Sequence, residues 1–146
     1  MPETLTMSKL EYSLADIESV AEVLLDEGRA YPVWLLHGNL GAGKTTLIKA
    51  LCRELGIDNS SMSSPTFSII NEYDSDNSEV YHIDFYRMNS EEEILSLGID
   101  EYFESGNFCF VEWPERLGKF LPERYFELRI SISDNHTRVV DYQKHG

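Results

Sequence analysis

Residues 33–45 read Val33-Trp34-Leu35-Leu36-His37-Gly38-Asn39-Leu40-Gly41-Ala42-Gly43-Lys44-Thr45, a short apolar run that breaks into a glycine-rich loop. The run has the length and composition of a buried strand. From Gly38 the loop matches G-x-x-x-x-G-K-[ST] in full. Its glycines permit backbone conformations and close approaches that side chains block. Successive N–H groups can then point at the β- and γ-phosphates of a nucleotide, and the helix that follows adds its positive N-terminus. In such a loop Gly41, Ala42 and Gly43 supply backbone donors, and Lys44 bridges phosphate oxygens as a point charge. Thr45 offers its hydroxyl to magnesium, and Thr46 reaches the α-phosphate side. The helical pattern that follows, with Leu47, Ile48, Leu51 and Leu55 inward and Gly56 past its end, supplies the context this motif requires.

Working outward, residues 66–73 and 80–86 are β-like and separated by Asp74-Ser75-Asp76-Asn77-Ser78. Ser90 with Glu93 opens a short helix by the capping-box pattern. Phe108-Cys109-Phe110-Val111 is a second buried-strand run, closed by Pro114, with a short helix predicted over residues 115–121. Residues 125–133 and 137–142 alternate in polarity and flank Asp134-Asn135-His136, which predicts a hairpin. Upstream of the loop, Leu14, Ile17, Ala21 and Leu24 share a helical face. Ser13 with Asp16 is the expected cap of that helix and Gly28 its expected stop. Strands interleaved with helices, then a hairpin, predict an α/β fold: a three-layer sandwich like that of P-loop NTPases, with a mixed central sheet and a C-terminal hairpin. All 146 residues are expected to form one such domain.

A phosphate loop of this kind needs a carboxylate at the end of a neighbouring strand to hold the magnesium shell. Glu112, which ends the run from Phe108, is assigned to magnesium, directly or through water. Asp84 lies in Tyr81-His82-Ile83-Asp84-Phe85-Tyr86-Arg87, where alternation sets His82 and Asp84 on one face and Tyr81, Ile83 and Phe85 on the other. Asp84 is assigned to the water or magnesium shell. His82 reads as a hydrogen-bonded structural histidine, and Arg87 as the partner of a carboxylate. Thr66, in the polar loop Ser63-Ser64-Pro65-Thr66-Phe67, carries a hydroxyl that switch loops use to sense a γ-phosphate, and an ordinary turn is the other reading.

The formal net charge is −14, from 26 acidic against 12 basic side chains, so the chain is a poor independent binder of DNA or RNA. Any nucleic acid in its function would be held mainly by a partner. Cys52 and Cys109 sit in apolar patterns and read as buried free thiols of a reducing compartment. No stretch resembles a signal peptide or a membrane span, so a cytoplasmic location is expected. Neither the N-K-x-D nor the D-x-x-G string of GTPases occurs, which favours ATP. A small-molecule kinase is the rival, but such enzymes bring several arginines over the phosphates, and the seven here are scattered.

Taken together, the motifs resemble one family, TsaE (also called YjeE), small bacterial ATPases required for threonylcarbamoyladenosine in tRNA. The resemblance runs from the phosphate loop through Ser64-Pro65-Thr66-Phe67, Asn71-Glu72-Tyr73 and Tyr81-His82-Ile83-Asp84-Phe85-Tyr86-Arg87. It continues in Glu92-Glu93, Leu97-Gly98-Ile99, Tyr102-Phe103 and Val111-Glu112-Trp113-Pro114-Glu115. It implies that Thr45 and Glu112 ligate magnesium, that Thr66 lies in a switch segment and that Asp84 supports hydrolysis. It further implies ATP and Mg2+ as cofactors and TsaD-like and TsaB-like proteins as partners, with tRNA reached only through them. In that family the small ATPase resets or activates the transferase complex. Asn39 stands where the family commonly has Asp, at a position that works mainly through its backbone. Beyond Leu121 the resemblance is loose, and Arg138 receives no role.

Overall fold

Strand β2 (Val33–His37) is buried from Val33 to Leu36, and a strand with apolar side chains on both faces belongs at the centre of a covered sheet. The computed structural model describes residues 8–39, 41–57, 69–74, 79–134 and 137–146. Within them β2 lies between two parallel neighbours, β5 (Phe108–Glu112) and β6 (Tyr125–Ile132). Beyond β5 come β4 (Glu79–Asp84), parallel, and β3 (Ile70–Asp74), antiparallel. Beyond β6 come β7 (Thr137–His145) and β1 (Ser8–Ser13), both antiparallel to their neighbours. The described strands thus form one mixed sheet in the order β1-β7-β6-β2-β5-β4-β3.

Period-two alternation divides the core between two faces. Trp34, Leu36, Phe110, Phe126 and Leu128 pack against α1 (Ile17–Gly28) and α2 (Lys44–Glu54) through Ala21, Leu24, Leu47, Ile48 and Leu51. Trp34 is the hub, with Phe126 and Phe110 edge-on at centroid distances of 4.6 and 5.3 Å. On the opposite face Val33, Leu35, Ile83, Cys109 and Val111 pack against Ile94 of α3 (Glu91–Ser96), Ile99 of α4 (Ile99–Phe103) and Leu117 of the 3-10 segment Pro114–Phe120. Helix, sheet and helix make the expected three layers, and the antiparallel β6–β7 pair is the expected hairpin. Both cysteines are buried and free, and burial pushes each thiol up to about 12. No helix among the described residues is long and apolar enough to cross a membrane.

Local chemistry sets the element ends. Past the end of α2, Gly56 stands at φ +88, with Gly56 N–H bonded to Arg53 O and Ile57 N–H to Cys52 O, the paired closure of a Schellman cap. Helix α3 starts at Ser90, whose Oγ accepts from Glu93 N–H at 3.3 Å, while Glu93 Oε1 reaches back to Asn89 N–H at 3.1 Å. Two expectations need correction. Leu14 lies in a 3-10 turn (Leu14–Asp16) ahead of α1 and is 69% exposed, so it is not on the buried face of that helix. Ser13 caps no backbone N–H; its hydroxyl bonds Asp16 Oδ2. Gly28 is the last residue of α1, as expected, and it is also required for its size, because a Cβ there would lie 2.6 Å from both Phe126 Cδ2 and Trp34 Cζ2. Strand β1 and helix α4 come in addition to the predicted elements.

Candidate active site

Strands β2, β5 and β4 end level with one another. Leu36 pairs with Glu112 and Glu112 with Asp84, so the loop after β2 and both acids emerge on one carboxyl edge. That edge is where open α/β sheets bind ligands. His37, at the root of the loop, is tied down by Glu127, which accepts from His37 Nε2 at 2.8 Å and from His145 Nε2 at 2.9 Å. Gly38 is confined by packing, since a Cβ would meet Ile130 O at 3.0 Å and Ala42 Cβ at 3.3 Å. Gly41 and Gly43 adopt φ of +82 and +106, left-handed values that disfavour a side chain. Gly43 is the N-cap of α2, so the loop delivers its amides to the positive end of an 11-residue helix. Ala42 N–H bonds Asn39 O at 3.0 Å, and Arg138 Nε donates to Ala42 O at 3.1 Å, fastening the loop to β7.

Lys44 and Thr45 occupy the first turn of α2, over the sheet face that also carries His82 and Glu112. Lys44 is only 5% exposed, and its Nζ has no hydrogen-bond partner among the described residues. Burial lowers its pKa, opposed by the charges of Glu112, Glu115 and Asp84. The indole of Trp113 lies over the ammonium, 3.8 Å from Nζ to ring centroid, and Tyr86 leans on the indole from outside. Trp113 is the one residue other than glycine with positive φ (+59) among those described, a backbone cost that holds the ring at this place.

Glu112, 4% exposed, accepts from Thr45 Oγ1 at 3.0 Å and from His82 Nε2 at 2.6 Å, both through Oε2. Burial alone would raise its pKa. The His82 hydrogen bond, the Thr45 hydroxyl and the Lys44 charge outweigh burial and hold the carboxyl below its ordinary value. Asp84 is partly exposed and accepts from Tyr86 N–H at 3.0 Å. A cavity of about 280 Å³ is lined by Gly41, Gly43, Lys44, Thr45, Thr46, Asp84, Glu112 and Trp113, together with Tyr86. A second, of about 340 Å³, shares Gly41, Gly43 and Thr46 and is walled by Tyr12, Leu14, Ile17 and Arg138.

The structure therefore brings together Gly41, Ala42, Gly43, Lys44, Thr45, Thr46, Asp84 and Glu112. Thr66 lies outside the described residues, as does Leu40 of the loop. Trp113 and Arg138 reach the site, and Tyr73 reaches His82 behind Glu112, without having been assigned to it from sequence. Trp113 lay inside a quoted motif, but only the fold shows its ring over Lys44. His82 is hydrogen-bonded as expected, and its partner is the proposed metal-site carboxylate itself.

Comparison with known proteins bears on the same residues. The model of the family described as threonylcarbamoyl adenosine biosynthesis protein TsaE matches residues 12–140, well past Leu121, where the resemblance had looked loose. A Bacillus subtilis (strain 168) protein named tRNA threonylcarbamoyladenosine biosynthesis protein TsaE is 35% identical over 131 residues, covering 90% of this chain and 81% of its own. A protein of the same name from Nostoc sp. is 39% identical, covering 88% of this chain and 82% of its own. The crystal structure of YdiB from Bacillus subtilis superposes with a TM-score of 0.77 at 28% identity, covering 99% of this chain and 89% of the other.

Proposed function

The chain belongs to the TsaE family, and from that premise we propose that it is an ATP-binding, slowly ATP-hydrolysing accessory protein in the formation of threonylcarbamoyladenosine in tRNA. Its cofactors are ATP and Mg2+. Its partners are TsaD-like and TsaB-like proteins, and it resets or activates the transferase they form. The observation that carries the nucleotide site is the Lys44 ammonium, buried beside a left-handed glycine loop at a helix N-terminus with no hydrogen-bond partner among the described residues. Buried polar groups are almost always satisfied, and a phosphate oxygen is the acceptor this arrangement suits.

In this reading backbone amides of Gly41, Ala42, Gly43, Thr45 and Thr46 hold phosphate oxygens, and Lys44 neutralises their charge as it shifts toward the leaving group. Thr45 and Glu112 hold magnesium, which polarises the phosphates when bound; hard oxygen ligands in small number suit an ion that keeps waters and phosphate oxygens in its shell. Asp84, one strand away and open to solvent, orients the attacking water. Thr66 serves as the γ-phosphate-sensing switch. The base occupies the slot of Tyr12, Leu14, Ile17 and Arg138 on the far side of the glycines, which accounts for a leucine left 69% exposed.

Two measurements test the proposal. Lys44→Ala should abolish ATP binding in a calorimetric titration; retained micromolar affinity would remove the loop from the site. In a reconstitution with a TsaB–TsaD pair, threonylcarbamoyl-adenylate and unmodified tRNA, repeated rounds of modification should require both this chain and hydrolysable ATP. Sustained modification without either would reject the role.

A further inference from the structure

A buried hydrogen-bonded chain runs beneath the glycine loop across three strands and a helix. Tyr73 Oη on β3, the His82 ring on β4, Glu112 on β5 and Thr45 on α2 follow one another at 3.4, 2.6 and 3.0 Å. All three strand residues are more than nine-tenths buried. An ionised carboxylate only accepts, so the proton between His82 and Glu112 sits on Nε2. In that tautomer Nδ1 carries a lone pair and accepts from the Tyr73 hydroxyl. Tyr73 faces His82 diagonally across the antiparallel β3–β4 pair, in which Asn71 lies opposite His82 and Val80 opposite Tyr73. The ring is thus held from behind by one strand and presses on the carboxylate of the next.

The two oxygens of Glu112 are not equivalent. Oε2 receives both close donors, Thr45 at 3.0 Å and His82 at 2.6 Å, while Oε1 has only the longer Thr45 contact at 3.3 Å. We propose that His82 is a positioning residue of the magnesium shell: with Thr45 it fixes Oε2 of Glu112 and so leaves Oε1 as the oxygen turned to the metal and its waters. This rests on the magnesium site proposed above. His82 touches neither nucleotide nor metal; it acts through Glu112, and Tyr73 acts through His82. Partners that orient a metal-binding carboxylate typically matter by about 10- to 100-fold in metal affinity.

The test is a titration of ATP in EDTA and across a magnesium series. His82→Ala should raise the magnesium needed for half-maximal enhancement of ATP binding by about tenfold. Affinity in EDTA should stay within about twofold, because the loop amides and Lys44 are untouched. His82→Gln places an amide nitrogen near the position of Nε2 and should recover most of the loss. Tyr73→Phe should shift the magnesium midpoint in the same direction by a smaller factor. Equal losses with and without magnesium would mean a merely structural histidine and overturn the proposal, as would a Gln variant no better than Ala. If His82→Ala does not fold, Tyr73→Phe and His82→Gln decide: an unmoved midpoint in the first or a collapsed one in the second overturns it. Glu112→Gln run in parallel separates the two levels. If it moves the magnesium midpoint while the His82 variants do not, only the positioning role is lost; if it moves nothing, the magnesium site itself is wrong.

Discussion

Lys44 is where function and stability pull apart. An ammonium desolvated without a hydrogen bond is a cost to the nucleotide-free fold, eased but not removed by the Trp113 ring and the nearby acids. Lys44→Met keeps the length of the side chain without the charge. It should abolish ATP binding and yet stabilise the nucleotide-free protein by roughly 1 kcal/mol, read as a rise of about 4 °C in Tm by calorimetry. Glu112 has the opposite sign. Its folded-state pKa lies below the ordinary value of 4.5, so its ionised form contributes stability that is complete above that value and is lost as pH falls through the folded one. Glu112→Gln should therefore narrow the difference in urea midpoint between pH 6 and pH 3 relative to the parent chain. Lys44, Thr45 and Glu112 were legible because a fixed-spacing motif and a strand-ending acid are local signals. The contacts of Trp113 and Tyr73 were not, since they depend on which strands adjoin and in what register.

At the scale of elements, sequence patterning was most informative where burial was complete. Val33 to Leu36 and Cys109 to Val111 are buried in central strands and were plain within apolar runs. Strand β1 escaped notice because an edge strand needs only a few inward residues, here Tyr12 and partly Leu10, among Ser8, Lys9, Glu11 and Ser13. Helix α4 is five residues long, split from α3 by Gly98 at φ +67, and too short for a helical period to register. Gly28 shows a different limit: a glycine before a turn suggests a helix stop, while its aromatic neighbours come from β2 and β6, which sequence does not bring beside it. Gly28→Ala should push α1 off Trp34 and Phe126 and cost about 1–3 kcal/mol in urea unfolding, with ATP affinity little changed. Ser90→Ala should cost about 1 kcal/mol through loss of the α3 cap.

For the whole molecule, a net charge of −14 sets the terms of any meeting with tRNA. Alone, the chain should give no saturable change in the anisotropy of labelled tRNA at physiological salt, with or without ATP; tight binding by the isolated chain would contradict the indirect contact proposed here. The sheet order has a further consequence. Strand β2, which ends at the glycine loop, is flanked by β5 and β6, the latter running from Tyr125 to Ile132, so its two neighbours follow it in the chain by about 70 to 90 residues. On the ribosome the glycine-rich loop, to which a nucleotide site is assigned above, is therefore made long before the walls that support it. A growing polypeptide arrested ahead of Tyr125 would carry the whole motif and still fail to retain ATP, and competence should arrive abruptly once the last third of the chain has left the exit tunnel.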